Sequence, residues 1–191
     1  MKPELLDVLR RLGKSWYTIS DLQKITGLAR PSLRVFLSRW TKARRLERVR
    51  QGVYRLPGTG LDLARFATEY YFPAYLSFES ALARYGILSQ VPYALTFATT
   101  RRSRRLRLAE AEIEYRQVRS DLYFGFEQEG GVYIARPEKA LLDQLYMVAR
   151  GRARLELEAL NLRPLRRSIL RRYARAYPDA VRTRLRNIGL E

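Results

Sequence analysis

Hydrophobic side chains recur every three or four residues over residues 3–12, and Gly13 follows them. This spacing is typical of an amphipathic helix, in which proline suits the first turn and glycine the end. A second, shorter helix is predicted after Ser20, which can act as its N-cap, and Gly27 can adopt the left-handed conformation that ends it. The chain therefore begins with two predicted helices.

A third helix is predicted over residues 31–43, because Leu33, Phe36, Leu37 and Trp40 follow the i, i+3, i+4, i+7 pattern of a buried stripe. Its entrance and opposite face carry mostly polar and basic side chains: Arg30, Ser32, Arg34, Ser38, Arg39 and Lys42, with Val35 among them. A helix of this length and polarity fits the major groove of DNA, with its first turns toward the bases.

Residues 46–50 and 53–56 alternate between apolar and polar side chains around Gln51-Gly52, which is a hairpin signal. We expect this hairpin to contact phosphates or a minor groove through Arg48, Arg50, Gln51 and Arg55. Three helices, a glycine turn and a basic hairpin in this order predict a winged helix-turn-helix DNA-binding domain over residues 1–57. Residues 57–60, Pro-Gly-Thr-Gly, form a predicted linker.

Residues 61–191 are predicted to form a larger α+β domain with a small sheet and several helices. Helices are expected at residues 61–71, at 77–86 with Ser77 as N-cap and Gly86 as terminator, from Pro137, from Leu155 and after Pro178. Short β-branched or aromatic segments predict strands at residues 94–100, 113–118, 122–126 and 132–135. The fold class of the whole chain is therefore α+β.

Two segments of this larger domain leave their role open. The aromatic run at residues 70–75 fits either a base-stacking platform or, more commonly, core packing. A second basic patch consists of five arginines: Arg101, Arg102, Arg104, Arg105 and Arg107. Such a run is often a solvated loop, but it also suits a phosphate group or an acidic protein surface.

The 191 residues include 37 basic and 19 acidic side chains, a net charge of +18 that favours a polyanionic partner. The excess is segregated, because residues 1–58 carry +10, residues 59–149 are neutral and residues 150–191 carry +8. Cysteine and histidine are both absent, which removes thiolate and imidazole metal ligands and the usual catalytic nucleophile and base pairs. We expect a protein that is not an enzyme and needs no cofactor or metal.

No signal-peptide core and no long apolar segment is present in the sequence, so a cytoplasmic protein is expected. The basic tail has helical spacing, with Arg166, Arg167, Arg171, Arg172 and Arg175 opposite an apolar side. Such a tail could lie on a membrane or on DNA, but the breaks at Pro164 and Pro178 favour packing onto the domain. We expect no membrane partner.

Several segments in order give the chain a family resemblance: residues 77–82 (SFESAL), 99–105 (TTRRSRR), 124–126 (FGF), 135–143 (ARPEKALLD) and 177–178 (YP). Together, behind a predicted winged helix, they resemble the AbiEi family of abortive-infection antitoxins, the regulator half of a type IV toxin-antitoxin pair. The resemblance implies an N-terminal domain that represses its own operon at inverted repeats in double-stranded DNA. It also implies a C-terminal domain that counters a nucleotidyltransferase toxin without forming a stable complex.

The residues also suggest two alternative functions. A winged-helix regulator with a ligand-sensing C-terminal domain and no toxin would use the aromatic run as an effector pocket. A metal-dependent nuclease would use Asp121, Glu138 and Lys139. However, Glu138 and Lys139 fall in the first turn of a predicted helix, where the Glu138 carboxylate interacts favourably with the positive end of the helix dipole and needs no catalytic explanation.

Overall fold

A computed structural model describes residues 4–108, 111–156 and 160–190 of the chain. The chain divides into two compact units, Met1–Phe66 and Ala67–Glu191. The division falls within a helix, Leu63–Tyr70, a few residues after the linker predicted at 57–60.

The first unit contains three helices and a hairpin, in the order that the sequence predicts. Its elements are α1 (Glu4–Leu12), β1 (Tyr17–Thr18), α2 (Ile19–Thr26), α3 (Arg30–Lys42), β2 (Glu47–Arg50) and β3 (Val53–Arg55). The strands form an antiparallel sheet in the order β1-β3-β2. Pro3, predicted in the first helical turn, lies outside the described residues.

The core of the first unit joins the three helices to the sheet. Leu9 of α1, Leu22 of α2 and Leu33 of α3 are fully buried in one hydrophobic cluster. The hydroxyl of buried Tyr17 donates to the carbonyl oxygen of Leu9 at 2.6 Å, which fastens β1 to α1. This unit therefore has an apolar core of its own.

The start of α2 differs from the sequence prediction. Thr18, not Ser20, is its N-cap: the Thr18 hydroxyl accepts from the Asp21 amide at 3.1 Å, and the Asp21 carboxylate accepts from the Thr18 amide at 2.9 Å. Helix α2 begins at Ile19, so Ser20 already lies inside its first turn, and the residue before the helix, Thr18, takes the cap position. Gly27 ends the helix with φ of 68°, as predicted.

The second unit is built around a six-stranded mixed sheet. Its strands are β4 (Ala74–Leu76), β5 (Ala94–Thr99), β6 (Arg104–Arg107), β7 (Glu112–Gln117), β8 (Phe126–Glu129) and β9 (Val132–Ala135), in the order β6-β7-β5-β4-β9-β8. Strands β5 and β7 run parallel, as do β4 and β9, and the other neighbours are antiparallel. Both units mix helices and strands, which confirms the predicted α+β class.

Among the described residues, five α-helices follow the hairpin of the first unit, and the first of them crosses the division between the units. They are α4 (Leu63–Tyr70), α5 (Phe78–Arg84), α6 (Pro137–Ala149), α7 (Arg167–Ala174) and α8 (Asp179–Asn187). Helix α6 lies at the centre, since each residue from Glu138 to Met147 is buried, and it contacts α5, α7 and α8. Within the described residues, no helix has both the length and the apolar character that crossing a membrane requires.

The strand predicted at residues 122–126 is wrong. Ser120–Leu122 form a short 3-10 helix, and β8 begins only at Phe126. Between them Gly125 has φ of 72°, and its carbonyl oxygen accepts from the Arg136 amide at 2.9 Å. A left-handed residue redirects the backbone, so the aromatic segment before it does not extend the strand.

Two further predictions for this unit need correction. Ser77 precedes α5 but makes no side-chain cap; its hydroxyl instead donates to Asp143 of α6 at 2.8 Å. The helix predicted from Leu155 is wrong as well, because Leu155 and Glu156 are not helical and α7 begins only at Arg167. Part of that predicted segment, residues 157–159, lies outside the described residues.

Candidate nucleic-acid interface

One side of α3 packs into the first unit and the other is open to solvent. Leu33, Leu37 and Trp40 are buried, which leaves the outer half of the helix exposed. At about 3.6 residues per turn, the side chains opposite this stripe are those predicted to meet DNA. All six are exposed: Arg30, Ser32, Arg34, Ser38, Arg39 and Lys42.

The cations on this outer face of α3 are not neutralised by the protein. Within the described part of the chain, Arg30, Arg34, Arg39 and Lys42 form no ion pair. Like charges three or four residues apart on one helix face repel one another and weaken the helix slightly, so these cations do not serve the stability of α3. Their charge is therefore available to an anionic partner.

The centre of the same face is short or apolar. Val35 is 54% exposed and Ser38 is exposed one turn further on, with Arg34 and Arg39 on the two flanks. An exposed valine suits contact with a thymine methyl group, and serine hydrogen-bonds to any base edge. Because the central side chains are short and the arginines lie to either side, the axis of α3 can approach a groove closely.

The hairpin brings some, but not all, of its predicted contacts to the surface. Arg48 and the turn residue Gln51 are exposed, and Arg50 is half-buried. Arg55 is directed toward Glu47 across the two strands, with 2.7 Å between Nε and Oε2. Arg55 is thus already engaged by a carboxylate within the hairpin.

The hairpin is short and its tip is held in place. Gly52 has φ of 82°, and its carbonyl oxygen accepts from the Ile19 amide at the start of α2 at 3.0 Å. A two-residue turn with glycine in the left-handed region matches the twist of the strands it joins. Because the tip is fastened to α2, any reach toward DNA must come from the side chains of Arg48, Arg50 and Gln51.

Two cations that the sequence reasoning missed extend this surface. Arg44 and Arg45 follow α3 directly, and both are exposed. Arg45 lies over the Trp40 ring, 5.7 Å from its centroid. The available signal was the Arg44-Arg45 pair one residue after Lys42, but it lies beyond the residues that the helical periodicity of α3 covers.

The second basic patch, in the other unit, is not a single loop. Arg104, Arg105 and Arg107 belong to β6, whereas Arg101 and Arg102 lie in the turn before it. This strand was not predicted because a dense run of arginines is typical of a solvated loop, although Leu106 between two arginines was an alternation signal; in the structure Leu106 is buried. All five arginines are exposed.

The strand alternation divides this patch between the two faces of the sheet. Arg105 and Arg107 stand opposite Glu114 and Glu112 of β7 and form ion pairs with them at 3.4 and 3.9 Å. Arg104 points to the other face, where its guanidinium lies over the Tyr71 ring, 5.7 Å from the centroid. Two of the five charges are thus offset by neighbouring carboxylates.

The fold of the whole chain has a known counterpart. No protein-family model and no curated protein matches the chain. A solved structure does: the RV2827C protein from Mycobacterium tuberculosis superposes with a TM-score of 0.66 at 15% sequence identity, over 96% of this chain and 74% of that chain. At this identity the likeness concerns the fold alone.

The residues considered for nuclease chemistry are used within the protein. Glu138 is 2% exposed, and its carboxylate accepts from the Arg166 amide at 2.8 Å. Lys139 is fully buried, whereas Asp121 is exposed and pairs with Arg119. The three side chains thus lie in different environments, and the two on α6 are enclosed by the core.

The aromatic run at residues 70–75 is divided between the core and the surface. Tyr75 is fully buried and Tyr71 is 8% exposed, whereas Phe72 between them is 59% exposed. Tyr71 packs against Tyr115 with 4.8 Å between ring centroids, and Tyr75 stacks on Phe126 at 4.6 Å. Two of the tyrosines therefore serve the core, and Phe72 remains open to solvent.

A buried polar cluster surrounds Asp143 and was not predicted from the sequence. Its carboxylate accepts from the hydroxyls of Tyr75, Ser77 and Tyr177 and from the Lys139 ammonium, at 2.5 to 2.9 Å. Burial lowers the pKa of Lys139, and the Asp143 carboxylate opposes that shift. The i, i+4 spacing of Lys139 and Asp143 was a visible signal, but it is equally common on solvated helices.

Proposed function

We propose that this protein is a DNA-binding transcription regulator whose first unit acts as a winged helix-turn-helix. Helix α3 would enter the major groove of a duplex operator, and the short β2-β3 hairpin would contact the flanking phosphates as the wing. The observation that carries this proposal is the outer face of α3, where four cations are exposed and unpaired within the described residues. A cytoplasmic location would follow from this role.

The order of the elements supports the same proposal. In a helix-turn-helix the second helix of the pair reads the groove, and a hairpin beyond it reaches the backbone. Here α2 ends at Gly27, α3 follows after a three-residue turn, and the hairpin follows α3. Arg48 and Gln51 are exposed on that hairpin and available to phosphate groups.

We further propose that the regulator is the antitoxin of a type IV toxin-antitoxin pair and represses its own operon at inverted repeats. This part rests on the resemblance to the AbiEi family in residues 77–82, 99–105, 124–126, 135–143 and 177–178. Its functional partner would be a nucleotidyltransferase toxin, countered without a stable complex. Rescue of cells that express the adjacent toxin gene tests this role; toxicity that persists at equal expression of both proteins would contradict it.

The alternative, a ligand-sensing regulator without a toxin, has less support from the second unit. That alternative assigns the aromatic run to an effector pocket. Tyr71 and Tyr75 instead pack against Tyr115 and Phe126 in the core. A small molecule that changes operator affinity would favour this alternative over the antitoxin.

A gel shift of the full chain on the duplex upstream of its own gene tests the proposed regulator. Scrambled duplex of the same composition serves as competitor, and the titration is repeated over a salt series. Arg34→Ala and Arg39→Ala are each expected to cost about 1–3 kcal/mol of operator binding, because bidentate base contacts contribute that much. Arg48→Ala should weaken operator and scrambled duplex by the same factor.

A matched control separates base reading from the loss of one charge. Arg11 is an exposed cation on α1, so Arg11→Ala removes the same charge from another helix of the unit. It should leave operator discrimination unchanged. If Arg34→Ala and Arg39→Ala bind the operator as tightly as the Arg11 variant, α3 does not lie in the groove.

A further inference from the structure

The turn between β5 and β6 is fastened to the segment before β4. The Thr99 hydroxyl donates to the Pro73 carbonyl oxygen at 2.7 Å and accepts from the Arg101 amide at 3.1 Å. The Tyr71 hydroxyl donates to the Arg102 carbonyl oxygen at 3.1 Å. These bonds hold two chain segments side by side at the ends of neighbouring strands.

The other end of the turn is fixed as well. The Gln117 amide at the end of β7 donates to the Ser103 hydroxyl at 2.9 Å, and the Gln117 side chain donates to the Thr100 carbonyl oxygen at 3.2 Å. A loop held at both ends loses little conformational entropy when a ligand binds. The arginines of this turn are thus presented from a preorganised backbone.

Two guanidinium groups lie against one tyrosine ring on this surface. The guanidinium carbon of Arg101 is 4.3 Å from the Tyr71 ring centroid, and that of Arg104 is 5.7 Å from it. Arg101 also donates to the Phe72 carbonyl oxygen at 3.3 Å. Stacking on the ring orients a planar cation, and both side chains remain exposed.

The charges on this side of the sheet are uncompensated. In the described part of the chain, Arg101, Arg102 and Arg104 pair with no carboxylate. Arg105 and Arg107 lie on the opposite face and are offset by Glu114 and Glu112. Arg101 and Arg104 share the Tyr71 ring, and Arg102 between them in the chain is exposed, so this turn carries positive charge that can attract an anion.

An exposed aromatic ring adjoins these arginines. Phe72 is 59% exposed, and its own carbonyl oxygen is the acceptor for Arg101. A ring beside unpaired guanidinium groups combines a stacking surface with phosphate contacts. Proteins that bind single-stranded nucleic acid use this combination, because each base has a face to stack and each nucleotide a phosphate to neutralise.

We propose that Phe72, Arg101, Arg102 and Arg104 form a binding site for single-stranded nucleic acid. The guanidinium groups contact successive phosphates, and an unpaired base stacks on the Phe72 ring. A duplex keeps its bases stacked on one another and so cannot use the ring. The site lies in the second unit, so it can be tested independently of the DNA contacts proposed for α3.

An acidic protein segment fits this surface less well. An acidic strand added along the edge of β6 would run past Arg105 and Arg107, whose charges Glu114 and Glu112 already offset. It would also leave the Phe72 ring without a role. The Phe72 ring belongs to the chain segment that contacts Arg101 and Arg104. This combination suits a single strand, in which phosphates and bases alternate.

Fluorescence anisotropy of the full chain tests this site. The probes are labelled single-stranded DNA, single-stranded RNA, the DNA duplex of the same sequence, and polyglutamate. The strands are about 12 nucleotides long, which is within the range that such sites cover. The double variant Arg101→Gln/Arg104→Gln is expected to weaken single-strand binding at least tenfold. Whichever of DNA or RNA binds more tightly identifies the source of the strand.

The same strand supplies a matched control. Arg105→Gln/Arg107→Gln removes the same two charges from β6 but takes them from ion pairs, and it should change single-strand binding less than threefold. Equal losses in both double variants would mean that net charge alone attracts the probe, which overturns the site. If Arg101→Gln/Arg104→Gln loses polyglutamate binding but keeps single-strand binding, the surface binds an acidic protein and the proposed site is wrong.

Phe72 tests the stacking part of the proposal. Phe72→Ala is expected to weaken single-strand binding about 5- to 150-fold, since base stacking on an aromatic ring contributes about 1–3 kcal/mol. Phe72→Tyr keeps a ring and should restore binding. Unchanged binding by Phe72→Ala overturns the site, and unchanged thermal unfolding of each variant confirms that the fold is intact.

The α3 variants separate this site from the proposed regulator function. Arg34→Ala should weaken the operator duplex and leave single-strand binding within threefold of wild type. If Arg34→Ala removes single-strand binding while Arg101→Gln/Arg104→Gln keeps it, the strand binds on α3 and the site in the second unit is wrong. Failure of operator binding alone leaves this site unaffected.

Discussion

Asp143 accepts four hydrogen bonds at a position from which water is excluded. Its partners belong to β4, to Ser77 just before α5, to α6 and to the turn between α7 and α8, so one carboxylate joins distant parts of the second unit. A buried carboxylate is unfavourable on its own, and only its partners make it acceptable. The cluster thus fixes how the C-terminal helices dock on α6.

We predict that Asp143→Asn lowers the free energy of unfolding by about 3–5 kcal/mol, because removing one partner leaves the Lys139 charge buried and uncompensated. Urea unfolding followed by circular dichroism measures the loss. Asp121→Asn makes the same chemical change at an exposed position and should alter stability by less than about 0.5 kcal/mol. Similar values for the two variants would contradict the role of the cluster.

Tyrosine ionisation gives this cluster a signature at high pH. Burial raises the pKa of Tyr75 and Tyr177 well above the usual value of 10.0, and the Asp143 carboxylate raises both further. Burial also raises the pKa of Tyr123 to about 12. The unfolded chain releases these protons near the usual value, whereas the folded chain retains them.

The stability that these hydroxyls contribute is therefore complete below pH 10.0 and is lost as the pH rises toward their folded values. We predict cooperative alkaline unfolding, accompanied by a late rise in tyrosinate absorbance. Tyr123→Phe should shift the unfolding midpoint to higher pH, whereas Tyr93→Phe, which changes a side chain that is 93% exposed, should not. Gradual ionisation of all tyrosines without unfolding would contradict this assignment.

Among the elements, α2 shows how a cap fixes the position of a helix. The Thr18 hydroxyl and the Asp21 carboxylate satisfy amide groups at its first turn, and Lys14 lies 3.7 Å from that carboxylate. Burial opposes ionisation of Asp21, but the Thr18 hydroxyl and amide outweigh it and lower the pKa. The position of α2 sets that of α3, since only a short turn separates them.

We predict that Thr18→Ala destabilises the first unit by about 0.5–2 kcal/mol, the usual cost of losing an N-cap. Ser20→Ala is the matched control, because Ser20 is exposed within α2 and its hydroxyl is not the cap. Thermal unfolding of the two variants distinguishes them. A larger loss of stability for Ser20→Ala than for Thr18→Ala would mean that Ser20 is the N-cap, as the sequence predicted.

The first unit was more predictable from sequence than the second for a physical reason. Its helices are local, and their leucine spacing and the glycines at 13, 27 and 52 act within a few residues. Strand β4 depends on β5 and β9, which lie far along the chain, β6 consists mostly of arginines and so resembles a solvated loop, and β8 starts only where Gly125 allows it. The division of the second basic patch required the register of β6 on β7, which no local pattern contains.

At the scale of the whole molecule, the segregated charge of +18 has a second concentration near the C-terminus. Arg167, Arg171 and Arg175 recur every four residues along α7, all exposed and, within the described residues, without a carboxylate partner. The apolar side of α7 is occupied, because Leu170 and Ala174 are buried in the core. The apolar residues Leu170 and Ala174 are thus used by the core, which favours packing of α7 onto the domain over insertion into a lipid surface.

We predict that the triple variant Arg167→Gln/Arg171→Gln/Arg175→Gln weakens binding to operator and to scrambled duplex by the same factor. Side chains that act through charge alone carry no sequence information, so the affinity ratio of the two duplexes should stay constant. The slope of log affinity against log salt should fall by up to about 0.9 for each arginine that neutralises a phosphate. Gel shifts over a salt series measure both quantities, and a changed affinity ratio would mean that α7 reads sequence as α3 is proposed to do.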